Sequence, residues 1–178
     1  MDILLGQKNL VTMQNKIILT GPECSGKTTL CNKLKMYFKL PANKEFARSY
    51  LEKLNRKYVK KDLTFIAKKQ LESERNKVLL DTDLITIKIW SNYKYNDCDQ
   101  WILDKILKQK TESRFYFLCK GDLSWIQDGL RENQDDRDLL FELYKNELDQ
   151  LQFPYYIIEG QNRFENAKFK LKEFGYKS

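Results

Sequence analysis

The sequence predicts an α/β domain: a five-stranded parallel sheet flanked by helices, with a small lid. Three observations lead there. Apolar strand-like runs alternate with runs of helical periodicity, as expected of parallel strands joined by crossover helices. One strand–loop–helix junction, residues 21–28, reads Gly-Pro-Glu-Cys-Ser-Gly-Lys-Thr and matches the pattern GxxxxGK(S/T). A short apolar run, Val78-Leu79-Leu80-Asp81, ends in an acid where open α/β sheets bind their ligands, at the carboxyl ends of the strands.

The elements follow in order. Lys16–Thr20 (KIILT) is the first predicted strand, and the helix after the loop carries Leu30 and Leu34 on one face. A short second strand is expected to reach Glu45 and Phe46. Phe65, Ile66 and Lys69 fall in a helix starting near Asp62. Residues 78–81 make the third strand, and Trp101, Ile102, Leu103 and Ile106 form a helical stripe. Residues 115–119 (FYFLC) are the fourth strand, and Leu140, Leu143, Tyr144, Glu147, Leu148 and Leu151 again recur at helical spacing. Tyr155–Ile158 is the fifth strand, closed by Gly160; Phe164, Ala167, Leu171 and Phe174 mark a last helix stopped by Gly175. With 178 residues the chain suits one domain, expected over residues 16–178 behind an N-terminal extension at 1–15.

Composition excludes several functions. The absence of histidine removes histidine acid–base chemistry, histidine metal ligands and any nucleophile–histidine triad, so proton transfer falls to carboxylates, lysine or tyrosine. Cys24, Cys31, Cys98 and Cys119 form no CxxC pair, which fits reduced thiols and a cytoplasmic location. No apolar run approaches about 18 residues, so no membrane span is expected, and the first residues lack the pattern of a signal peptide. The formal charge is +7. Its densest basic patch (Lys53, Arg56, Lys57, Lys60 and Lys61, with Tyr58 among them) comes without a nucleic-acid-binding module and reads as a solvated face.

Four segments carry candidate chemistry. In the loop, glycines let the backbone curl so that its N–H groups point at phosphate oxygens. Gly21, Glu23, Cys24, Ser25, Gly26, Lys27, Thr28 and Thr29 are therefore the predicted ATP-binding residues, with Lys27 reaching the β- and γ-phosphates. Thr28 is expected to ligate magnesium directly, and Asp81 opposite it through water. Asp83 reads equally as a helix cap or as a group facing the acceptor. Glu45 and Asp83 are the leading candidates for the base, and Arg48, about one helical turn on, could hold acceptor or phosphate. Residues 125–131, with Arg137 beyond, read as an arginine-bearing lid or as an ordinary loop plugged by Trp125.

These segments, in this order, resemble the ribosylnicotinamide kinase domain of the NadR family and its stand-alone AAA-type ATPase-like relatives. The resemblance rests on GPECSGKTTL (21–30), EFARSYL (45–51), DLTFIAKKQ (62–70), LLDTDLITIKIW (79–90), SWIQDGLR (124–131) and DR (136–137). It covers about residues 16–174. It implies a five-stranded P-loop kinase fold and transfer of the ATP γ-phosphate to the 5′-hydroxyl of nicotinamide riboside, giving nicotinamide mononucleotide. By position it implies phosphate and metal contacts at Lys27, Thr28 and Asp81. It places Glu45 and Arg48 at the acceptor and Arg131 and Arg137 in the lid. Phe46, Tyr50 and Trp90 are the rings available to stack on the acceptor base. Only the kinase half of NadR is implied, because its adenylyltransferase domain needs histidines. The competing readings are a kinase for another nucleoside or small metabolite, and an ATP-binding regulatory or nucleic-acid-associated NTPase.

Overall fold

The computed structural model describes residues 15–177. The predicted N-terminal extension lies outside the described residues, Asn15 excepted. The elements are β1 (Lys16–Thr20), α1 (Lys27–Phe38), α2 (Phe46–Leu51), α3 (Lys60–Ser73), β2 (Leu79–Asp81), α4 (Leu84–Tyr95), α5 (Gln100–Gln109), β3 (Arg114–Cys119), α6 (Arg137–Leu151), β4 (Tyr155–Ile158) and α7 (Arg163–Glu173).

Among the described residues the four strands lie in the order β2-β1-β3-β4, all parallel. The central strands are apolar and buried on both faces, and alternate residues of β1 serve different cores. Ile18 joins Leu80, Tyr116 and Leu118 under α3–α6, while Ile17 and Leu19 join Leu79, Phe115 and Phe117 under α1 and α7. From β1 the chain passes to β2 on one side and then to β3 on the other. That reversal opens a crevice at the carboxyl ends of β1 and β3.

The predicted second strand reduces to a single bridge, Ala42 to Leu79, so four strands form instead of five. The Pro41 carbonyl accepts from the Val78 and Leu79 amides at 2.9 and 3.1 Å, and the Asn43 amide donates to the Leu79 carbonyl at 3.1 Å. The Asn43 side chain then takes the Asp81 amide at 2.8 Å, in place of the next backbone carbonyl. The ladder stops there. Phe46, expected at the strand end, instead begins α2, its amide donating to Gln70 Oε1 at 2.9 Å. Among the described residues no helix is long and apolar enough to cross a membrane.

Candidate active site

The loop after β1 is shaped by close backbone contact. Gly21 has φ 129°, and a Cβ there would lie 2.2 Å from the Cys119 carbonyl oxygen, so only glycine lets the loop pass the end of β3. Gly26, at φ 77°, caps α1 in the left-handed conformation without a side-chain cap bond. The amides of the first turn are thus free to meet an anion. From behind, Arg163 clasps the loop. Its Nη1 donates to the Ser25 carbonyl at 2.9 Å, Nη2 to Lys120 O at 3.1 Å and Nε to Gly160 O at 3.0 Å, and it pairs with Asp122. The Lys27 ammonium donates to the Gly21 and Pro22 carbonyls at 2.9 and 2.7 Å and to Ser25 Oγ at 3.3 Å, so the loop curls around it.

Asp81, at the end of β2, is only 3% exposed. Burial pushes its carboxyl up from the ordinary range, while hydrogen bonding from Thr28 and the charges of Lys27 and Arg48 pull it down. Its Oδ1 is buried with no hydrogen-bond partner. An orphaned carboxylate oxygen beside a threonine hydroxyl fits a hydrated divalent cation. No group of three or more acidic or cysteine side chains among the described residues could cage a metal alone. That suits magnesium, which keeps waters and leans on substrate phosphates.

A cavity of about 210 Å³ opens beside the loop. Gly21–Thr29 form one wall; Glu45, Arg48, Thr86, Trp90, Tyr93 and Tyr144 contribute to the other, and Leu130, Arg131 and Asn133 roof it. Glu45 caps α2. Burial raises its carboxyl above the ordinary range, Lys27 and Arg48 lower it, and Asp81 and Glu23 raise it. These charges therefore share one field across the cavity.

The cavity brings together the predicted loop residues, Glu45, Arg48, Trp90 and Arg131. Asp81, Asp83, Phe46, Tyr50 and Arg137 do not line it. Asp83 is fully buried, accepts from Ile85 N at 3.1 Å as the cap of α4, and binds Arg114 Nη2 at 3.2 Å and the Tyr116 hydroxyl at 2.7 Å. Of its two readings, the helix cap is the one that forms. A fully buried carboxylate tied to a buried guanidinium does not face the cavity. The Tyr50 hydroxyl is committed to Asp62 at 2.7 Å, and its ring packs against Phe46 and Phe65. Arg137 braces the base of the lid, donating to Leu123 O at 2.6 Å and lying over the Trp125 ring.

Sequence reasoning missed Thr86, Tyr93, Asn133 and Tyr144. Thr86 and Tyr93 lie four residues before and three after Trp90, on one face of α4, a spacing that could have found them. Tyr144 belongs to the stripe from Leu140 to Leu151, for which the sequence shows helical spacing alone. The basic patch is partly neutralised: Arg56 meets both oxygens of Asp62 at 2.7 and 2.8 Å, and Lys60 pairs with Asp97.

Residues 16–165 match the family model described as an AAA domain, and the chain belongs to that family. Its fold is that of P-loop kinases. It is similar to crystal structures of NadR protein, one in complex with NR (TM-score 0.71, 19% identity, 93% of this chain and 53% of that chain). Another holds NAD and AMP-PNP (TM-score 0.69, 18% identity, 93% and 51%). The chain thus spans about half the length of those NadR chains. It is also similar to deoxyadenosine kinase from M. mycoides with bound dCTP (TM-score 0.57, 17% identity, 88% and 98%). YorR protein from Bacillus subtilis, in complex with phosphorylated GDP, matches with TM-score 0.54 and 23% identity over 89% and 96%. At these identities the likeness is one of fold.

Proposed function

We propose that this protein is an ATP-dependent nucleoside kinase that phosphorylates the 5′-hydroxyl of nicotinamide riboside. The observation that carries the reading is the cavity itself, which sets the half-buried Glu45 carboxylate and Arg48 opposite the Lys27 loop with one roof over both. Such a space suits two substrates, one phosphorylated and one bearing a hydroxyl. The loop amides and Lys27 hold the triphosphate and meet the charge that develops on the γ-phosphoryl group. Glu45 accepts the proton of the acceptor hydroxyl, and its proximity to Lys27 directs that hydroxyl toward the γ-phosphate. Arg131, in the roof, neutralises transferred charge and helps to exclude water. Thr28 and Asp81 would hold magnesium, which supplies charge neutralisation across the β- and γ-phosphates.

The fold match to NadR in complex with NR supports nicotinamide riboside as acceptor. The deoxyadenosine kinase, matched over 98% of its own length, supports a second reading in which another nucleoside takes that place. ADP release across a nucleoside panel containing nicotinamide riboside decides between them. Release that depends on nicotinamide riboside is the expected result, and release with a purine deoxynucleoside alone favours the second reading. No nucleoside-dependent release, with hydrolysis stimulated by nucleic acid, would replace both by an NTPase.

A further inference from the structure

We propose that Glu23 is the latch between the phosphate loop and the lid, a positioning residue that holds the lid down over the loop and so favours transfer to the acceptor over transfer to water. The inference deepens the kinase reading and rests on it.

Residues 121–136 run from β3 to α6 without helix or strand. Across the cavity, one oxygen of the Glu23 carboxylate accepts from two successive lid amides, Glu132 N at 3.1 Å and Asn133 N at 3.0 Å. Successive backbone N–H groups in irregular chain form a small anion-binding concavity, and here the anion is a side chain of the phosphate loop. A carboxylate is electrostatically out of place in a loop that gathers phosphates. Its position is explained by what it reaches.

Glu132 is where three parts of the molecule meet. Its amide goes to Glu23, while its carboxylate takes Lys94 Nζ at 2.9 Å and the Tyr58 hydroxyl at 3.0 Å. The residues on either side, Arg131 and Asn133, line the cavity. Fixing the 132–133 backbone therefore fixes Arg131. The other ties of the lid hold it at other points: Asp128 to Arg48 on α2, Asp136 to Tyr93 on α4, and, from the phosphate loop to the lid base, Cys24 Sγ to Ser124 O at 3.3 Å. Glu23 joins the phosphate loop to the far end of the lid.

When the latch is lost, the roof loosens and water competes with the acceptor. The bond from the γ-phosphorus to the bridging oxygen of ADP still breaks, but the new bond forms to a water oxygen. Its proton passes to solvent, and the products are ADP and inorganic phosphate.

The test compares the full-length wild type with E23A, E23Q and E23D, with magnesium and a non-hydrolysable ATP analogue present, by hydrogen exchange. Amides of residues 130–134 should exchange about ten- to hundredfold faster in E23A, the range for a lost hydrogen bond to a charged group. β1 and β3 should be unchanged. E23Q keeps an acceptor oxygen at the same reach and should fall between. E23D keeps the charge but loses a methylene of reach, and should resemble E23A. In turnover, E23A should transfer about tenfold more slowly, with the KM for ATP not raised and more phosphate released per product formed. Unchanged exchange at 130–134, or an E23D that behaves as wild type, overturns the latch. So does a raised KM for ATP at a constant ratio of phosphate to product. The exchange measurement needs no acceptor. If the wild type phosphorylates no nucleoside, the acceptor assignment fails and exchange still decides the latch.

Discussion

The two walls of the cavity are built in opposite ways. The phosphate wall is a run of consecutive residues whose useful atoms are backbone, pressed into shape by Cys119 against Gly21 and by Arg163 on Ser25. The acceptor wall is assembled from side chains on α2, α4, α6 and the lid, from Glu45 to Tyr144. Triphosphates are alike, so a fixed backbone cradle serves them. Acceptors differ, so their wall draws on elements that can vary separately. Damage to the first wall should therefore lower the rate with every acceptor alike, and damage to the second should discriminate among them.

The largest effect is expected where the site ends and the core begins, between Asp81 and Asp83. Arg114 is fully buried between Asp83 and Glu74. Asp83→Ala leaves that guanidinium short of a partner and removes the cap of α4. A loss of about 3–5 kcal/mol in urea unfolding follows, with turnover per folded molecule retained. A normally stable variant without turnover would return Asp83 to the acceptor side and break the division between the walls.

On the phosphate wall, Lys27→Ala removes the charge that the proposed kinase would turn on the transferring group. Its expected cost is about 2.7–4 kcal/mol of transition-state stabilisation, equal for every acceptor, with a melting temperature lowered only as far as its three bonds to the loop contribute. On the acceptor wall, Glu45→Gln should lower kcat by about 10²-fold, the low end for general-base catalysis because a loose transition state demands little of the base. ATP affinity should hold. Burial raises the Glu45 carboxyl, and only the ionised form accepts a proton. The rate should therefore fall with decreasing pH at a point above the ordinary carboxylate range, and Glu45→Gln should lose that limb. An acid limb that survives in Glu45→Gln belongs to another group.

The same contrast explains what the sequence made legible. The loop was legible because its chemistry lies in one contiguous run between a strand and a helix. Asp81 was legible because a strand end fixes its edge of the sheet. Asp83, two residues on, could be read either way, since its fate depends on Arg114, distant in sequence. The second strand misled because the Asn43 side chain ends the ladder where a backbone group would have continued it. Tyr93 could be reached only through Trp90, by its spacing on α4, and Tyr144 was illegible as a site residue because a helical stripe does not say which of its members face a cavity.

The smallest effect sharpens the acceptor wall at its rings. Tyr50 and Trp90 were both candidates to stack on the acceptor base, and the structure separates them. The Tyr50 hydroxyl is one of several groups on Asp62, which also takes Arg56 and the Val59 amide at 2.7 Å. Tyr50→Phe therefore leaves Asp62 paired, and the KM for the acceptor should not move. Trp90 lines the cavity, with its indole N–H donating to the Tyr58 hydroxyl at 2.8 Å and the two rings edge to face at 5.0 Å. That contact fixes the plane a base would meet. Trp90→Leu removes the plane and should raise the acceptor KM by about two- to tenfold, the range of an aromatic pair worth about 0.5–1.5 kcal/mol. The KM for ATP should stay unchanged. Steady-state kinetics with both substrates varied reads the two variants together. An acceptor KM that rises in Tyr50→Phe and not in Trp90→Leu would move the base from α4 to α2 and redraw the wall.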